Sequence, residues 1–140
     1  MRYLLDTNIF VFLSTDRDLL DRNVADILLD CENVLCMSAE SVKELIVAYN
    51  NKGLGTKNWA DCEDLVKSIS RDFGIHILPV DEKVMQTYSR LVREESLNHK
   101  DPSDHVIISH AITLGIPLIS SDTKFEFYTK QGLDLIQNKR

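Results

Sequence analysis

The segment HKDPSDHVIISHAITLGIPLISSD, residues 99–122, reads as a complete helix-to-strand unit. Pro102 suits the first position of a helix, where its missing N–H costs nothing, and Asp101 just before it suits the N-cap. The apolar run behind them predicts a helix over Pro102–Leu114. Gly115 ends it in a left-handed cap, and Pro117–Ser120 follows as a short strand. Two carboxylates, Asp101 and Asp104, flank the proline three residues apart. The stretch therefore poses a question: helix cap, chemical site, or both.

The same punctuation recurs in "DFGIHILPVD" and "KQGLDLIQNK", where Gly74 and Gly132 precede short apolar runs. Helices that end in glycine and lead into strands imply α/β units and a mainly parallel sheet. The expected strands are Arg2–Leu5, Val34–Met37, Ile75–Leu78, Pro117–Ser120 and Leu133–Ile136. The expected helices are Ile9–Leu13, Asn23–Cys31, Ser38–Asn51, Asn58–Phe73 capped by Asn58, Asp81–Ser96 capped by Asp81, Pro102–Leu114 and Lys124–Lys130. In the third of these, Val42, Leu45, Ile46 and Tyr49 recur at helical spacing.

The chain's 140 residues suit a single domain over 1–140 with one substantial core. No apolar run is long enough to span a membrane, and "MRYLLDTN" lacks the apolar length and cleavage site of a signal peptide, so a cytoplasmic protein is expected. Cys31, Cys36 and Cys62 form no CxxC pair and read as reduced packing residues. The four histidines are scattered, which argues against zinc. A net charge of −6 argues against binding nucleic acid through general basicity. It leaves room for an enzyme whose acidic pocket holds a metal.

In an open parallel sheet, ligands bind at the carboxyl edge of the strands. Asp6 follows the first strand and Asp122 the fourth, so both belong at that edge. The Pro102 helix must end at the opposite edge, which puts Asp104 at the carboxyl edge too. Glu44 lies in the second turn of a helix leaving the same edge. Each acid also has an ordinary reading. Asp6 and Asp122 could be turn or cap residues, and Asp104 a helix-start acid favoured by the dipole. Ser41 and Glu44 have capping-box spacing, and Glu44 lies opposite its helix's apolar stripe. Asp104, however, shares a face with Ile108 and Ala111, and a carboxylate heading a core-facing stripe is costly unless paired. Four converging carboxylates without His or Cys suit Mg2+ or Mn2+.

Four segments, "RYLLDTNIFVFL", "SAESVKELI", "HKDPSDHVIISHA" and "LISSDTKFEFY", resemble in order and spacing the PIN-domain ribonucleases, in particular VapC-like toxins of type II toxin–antitoxin pairs. The nearest subgroup carries a DPFDR-like motif. The resemblance implies a three-layer α/β/α domain with about five strands and hydrolysis of RNA phosphodiester bonds with Mg2+ or Mn2+. It implies an acidic site of Asp6, Glu44, Asp104 and Asp122, all carried over as metal-binding and catalytic residues. It also implies a small antitoxin partner and a homodimer. Asn8 and Ser120 are the expected supporting groups that orient carboxylates or a water. Lys43, Lys52, Lys57 and Lys100 are candidates to hold RNA. Departures are Ser103 for the usual Phe, His105 for Arg and His110 for a common Gln. His105 could replace the Arg only when protonated. Glu126 is the nearest candidate for a further acid after Asp122.

Three other readings compete. A Mg2+-binding signalling receiver would want adjacent acids after the first strand, where "LLDTN" offers one. A phosphotransfer enzyme using D-x-D would want an acid where Asn8 stands. A PIN scaffold that only binds would not need the acid set intact.

Overall fold

Each short apolar run that follows a glycine becomes a parallel strand. The computed structural model describes residues 1–52, 58–94 and 101–139. Residues 53–57 with Lys57, Lys100 and the side chain of Lys52 lie outside that description. The strands are β1 (Arg2–Leu5), β2 (Val34–Ser38), β3 (His76–Leu78), β4 (Leu118–Ser120) and β5 (Leu135–Gln137). The helices are α1 (Thr7–Thr15), α2 (Arg22–Leu29), α3 (Ala39–Lys52), α4 (Cys62–Arg71), α5 (Glu82–Arg90) and α6 (Pro102–Leu114). Two 3₁₀ segments, Arg17–Leu19 and Thr123–Gln131, complete the set among the described residues.

All strand pairs are parallel, in the order β3-β2-β1-β4-β5. Side chains alternate between the faces of a strand, so a parallel sheet must be covered on both. Tyr3, Leu5, Leu35, Met37 and Ile119 meet Ile9 and Phe10 of α1, Val24 of α2, Leu45 of α3 and Leu65 of α4 on one face. Leu4, Cys36 and Leu118 meet Ile107, Ile108 and Ala111 of α6, with Phe125 and Tyr128, on the other. The result is the expected three-layer α/β/α sandwich.

The chain moves outward from β1 to β2 and β3, then crosses back to place β4 on the other side of β1. The switch point lies between β1 and β4, where open α/β sheets place their ligand crevice. This order also removes one competing reading, since receiver-type sheets run 2-1-3-4-5.

Helix α6 forms as its residues dictate. Asp101 accepts a hydrogen bond from the Ser103 N–H, Pro102 opens the first turn, and Gly115 closes the last at φ 65°. Residues 105–111 are all buried, because α6 lies between the sheet and the elements around it. That burial bears on His105, which stands where the resembling subgroup has Arg. Its ring is 1% exposed with Nε2 at 3.0 Å from the Tyr128 hydroxyl, so it packs inward and presents nothing to a partner. His110 likewise sits inside, with Nδ1 at 2.9 Å from Ser38 Oγ.

Several boundaries differ from expectation. The fourth helix begins at Cys62, capped by Asp61 and not by Asn58. Asp61 accepts from the Asp64 N–H while Asp64 accepts from the Ala60 N–H, a reciprocal cap three residues downstream. Helix α5 stops at Arg90. The Gln131 side chain bonds both the N–H and the carbonyl of Val92, replacing the helical partners there. Expected helix residue Ser96 lies outside the described residues. The Lys124–Lys130 helix is 3₁₀ in geometry, and the last strand starts two residues late, at Leu135. Ser41 and Glu44 do not form a capping box. Ser38 Oγ accepts from the Glu40 N–H instead, and Ser41 lies buried within the helix. Of the cysteines, all free, only Cys36 is fully buried; Cys31 is exposed. Among the described residues no helix is long and apolar enough to cross a membrane.

Candidate metal centre

Asp6 is the first residue past β1, and it caps α1 by accepting from the Thr7 N–H through Oδ1 at 2.8 Å. Its other oxygen, Oδ2, accepts from Ser120 Oγ at 2.8 Å, where β4 ends beside β1. The same Ser120 Oγ accepts from the Asp122 N–H at 3.0 Å, so one hydroxyl ties together both sides of the switch point. Glu44 comes across from α3. Thr7 Oγ1 donates to its Oε1 at 2.5 Å, a link between residues 37 apart in the chain. Asp104 arrives on the first turn of α6.

Carboxylate oxygens of Asp6, Glu44 and Asp104 all lie within 4.8 Å of one another. They line a cleft of about 360 Å³ with Thr7, Asn8, Ala48, Asp101 and Asp122. Asp122 shares this cleft but stands outside the close trio, its Oδ1 occupied in capping the Lys124 N–H. Asn8 is exposed on the cleft wall, and Ser120 is the group that orients Asp6. Glu126 is exposed and is not part of the cleft wall.

The electrostatics follow from burial and crowding. Burial is the main cause that pushes the Asp6 carboxyl up to about 7, with Asp104 and Asp122 adding repulsion against the pull of the Ser120 hydrogen bond. Asp104 is also pushed up to about 7, by burial first and then by Asp101, Glu44 and Asp122; Lys124 offsets part of this. Burial raises Glu44 as well, opposed by the Thr7 hydrogen bond. Carboxylates so placed are costly when ionised and gain most from a nearby cation. An all-oxygen donor set at this spacing fits a hard divalent ion better than zinc.

Two residues of the cleft escape a reading of the sequence. Thr7 looks like any turn threonine until α3 brings Glu44 against it. Asp101 was expected only as a cap, yet it also lines the cleft and raises Asp104. The DPSD spacing carried that signal, since a cap and a first-turn acid share one helix end. Asp101→Asn keeps a good capping side chain and removes the charge. It is expected to lower the Asp104 pKa, measured by carboxyl NMR titration, while Asp101→Ala should cost about 1 kcal/mol in urea unfolding.

A parallel sheet of order 3-2-1-4-5 with a carboxylate-lined cleft at its switch point defines the class: an α/β acid-cleft domain. The chain belongs to the PIN domain family, whose profile matches residues 3–130. Similar solved structures include VapBC2 from Rickettsia felis bound to a DNA fragment from their promoter, with TM-score 0.72 and 24% identity over 98% of each chain. Another is VapBC-1 from nontypeable Haemophilus influenzae, with TM-score 0.71 and 23% identity over 100% of each chain. A third is VapBC-5 of the VapBC family of toxin–antitoxin systems from Mycobacterium tuberculosis, with TM-score 0.68 and 22% identity, covering 97% of this chain and 98% of that one. Among curated proteins, none matches the chain in sequence.

Proposed function

We propose that this chain is a divalent-metal-dependent endoribonuclease, the toxin of a type II toxin–antitoxin pair, acting on RNA in the cytoplasm. The observation that carries the reading is the close trio of Asp6, Glu44 and Asp104, brought from three separate elements to the switch point of a PIN fold. Asp6 and Asp104 are the principal candidates to hold Mg2+ or Mn2+, with Glu44 as the third and Asp122 acting through water at the rim. Such an ion, when bound, lowers the pKa of a water and offsets negative charge on a phosphate.

The chain's own groups prepare that site. Ser120 Oγ and the Thr7 N–H each donate to a different oxygen of Asp6, which fixes the plane of the carboxylate. Thr7 Oγ1 engages one oxygen of Glu44 and leaves the other for the cleft. Groups that orient ligands in this way typically matter 10–100-fold in metal affinity. Thr7→Val is therefore expected to weaken Mn2+ binding roughly 10–100-fold in a calorimetric titration, and Thr7→Ser to restore it. Equal affinities for wild type and Thr7→Val would remove Thr7 from this role.

The VapBC relatives support a second component: we assign this chain a small antitoxin as inhibitor and a homodimer as its assembly. A basic antitoxin segment entering an acidic cleft would be electrostatically complementary. The test is incubation of single-stranded RNA with the purified chain in Mg2+, in Mn2+ and in EDTA. Cleavage confined to the metal-containing reactions is expected, and no cleavage in either metal would refute the nuclease reading.

A further inference from the structure

Helix α3 presents two neighbouring ridges at four-residue spacing. Glu40, Glu44 and Ala48 form one, and Lys43, Val47 and Asn51 the other. Neither is the core face, which belongs to Val42 and Leu45. The first ridge borders the acid cleft through Glu44 and Ala48. The second opens a groove of about 320 Å³ lined by Lys43, Glu44, Val47, Ala48, Asn51 and Ser103. The two cavities share Glu44 and Ala48 as a common wall, so whatever occupies the cleft has the groove as its neighbour.

The groove's chemistry is mixed in a particular way. Val47 is 50% exposed, an apolar β-branched side chain that lines the groove beside Ala48. The Asn51 side chain, exposed on α3, makes no hydrogen bond among the described residues, so its carboxamide offers both a donor and an acceptor. Lys43 is tethered by an ion pair to Glu40, which in turn accepts from Ser103 Oγ at 2.9 Å. An ion-paired cation thus lines the groove, while Glu44 and Ala48 are the residues it shares with the cleft. An apolar contact, a two-way amide and an ion-paired cation, lining one groove beside the carboxylate cleft, match the needs of one nucleotide of a single strand. Unpaired RNA bases are recognised in this way, by packing on a face and hydrogen bonding along an edge.

We propose that this groove receives the nucleobase adjoining the scissile phosphate, with Val47 and Ala48 packing its face and Asn51 selecting its identity. The inference rests on the nuclease reading above and adds a specificity residue to it. An amide carries one donor and one acceptor, whereas a carboxylate at the same place carries acceptors only. Asn51→Asp therefore shifts preference toward guanine, whose Watson–Crick edge offers two adjacent donors, and away from adenine. Asn51→Leu removes the choice altogether.

The test is sequencing of cleavage products from an RNA library randomised around the cut site. Each variant's base preferences are read as ratios within one reaction, so a change in overall rate cancels. Wild type should show a preference at one position beside the cut. Asn51→Leu should flatten it about tenfold, and Asn51→Asp should turn it toward guanine. An unchanged profile in both variants overturns the proposal. So does an unchanged profile with lost antitoxin affinity, which would make the groove a protein interface. Should wild type cleave nothing, the nuclease reading fails, and the groove is judged by binding alone. A trinucleotide RNA added in Ca2+ then moves the Asn51 side-chain amide resonances if the subsite is right and leaves them in place if it is wrong.

Discussion

Asp6→Asn is expected to reduce metal-dependent RNA cleavage by on the order of 10³-fold, since under the proposed function it removes a charged ligand from an ion that would supply several kcal/mol. The same change is expected to leave the metal-free protein as stable as wild type, or more so. Asn keeps an oxygen for the Thr7 N–H, and its amide can donate to Ser120 Oγ, whose hydroxyl rotates to suit. What disappears is a carboxylate only 5% exposed and repelled by Asp104 and Asp122. An ordinary structural aspartate would behave in the opposite way. Cleavage assays in Mg2+ with thermal melts in EDTA separate the two. A large loss of melting temperature alongside retained cleavage would assign Asp6 to the scaffold.

The second large effect is a pH dependence of stability in EDTA. Asp6 and Asp104 titrate near 7 in the folded chain against 3.8 ordinarily. Between those values the folded state holds protons that the unfolded state has released. Their contribution is therefore full below about 4 and is lost as pH rises through 7. The ceiling is on the order of 4 kcal/mol for one such group. Wild type in EDTA should melt at least about 5 °C lower at pH 8 than at pH 5. His110, which burial holds toward its neutral form, works in the other direction below 6.5. The difference between wild type and Asp6→Asn isolates the acids, and the variant's slope should be shallower. Adding Mg2+ should raise the wild-type melting temperature more at pH 8 than at pH 5, because a metal needs its ligands deprotonated. Parallel melting curves for wild type and Asp6→Asn across this range would contradict the buried-acid description.

Much of this was legible in the residues. The glycine punctuation predicted parallel strands, and Pro102–Leu114 emerged with the bounds that its cap, proline and terminal Gly115 dictate. Asp6 and Asp104 were legible because the carboxyl edge follows from topology once the strands are ordered. Glu44 was not, because helical periodicity records only which face meets the core. A residue at the rim of a cleft lies on neither the core face nor the solvent face, and family resemblance supplied what periodicity lacked. Asp122 looked equivalent to the other acids in sequence, yet it stands outside the close trio, with its Oδ1 accepting from the Lys124 N–H. The role of His105, left open in the sequence, depends on burial. A subgroup Arg at that position implied only a conditional contact, and the helix that carries it is buried over residues 105–111, where the His105 ring meets the Tyr128 hydroxyl.

DPSD can now be divided between its two aspartates. Asp101 caps α6 and shapes the field, while Asp104 faces Asp6 and Glu44. The most direct test compares single-turnover cleavage of one single-stranded RNA in Mg2+ by wild type, Asp101→Asn and Asp104→Asn, with wild type in EDTA as reference. Metal-dependent cleavage should persist in Asp101→Asn and fall to the EDTA level in Asp104→Asn. Cleavage by Asp104→Asn at the wild-type rate, or by wild type equally well in EDTA, would contradict the assignment of this cleft as a metal-dependent nuclease centre.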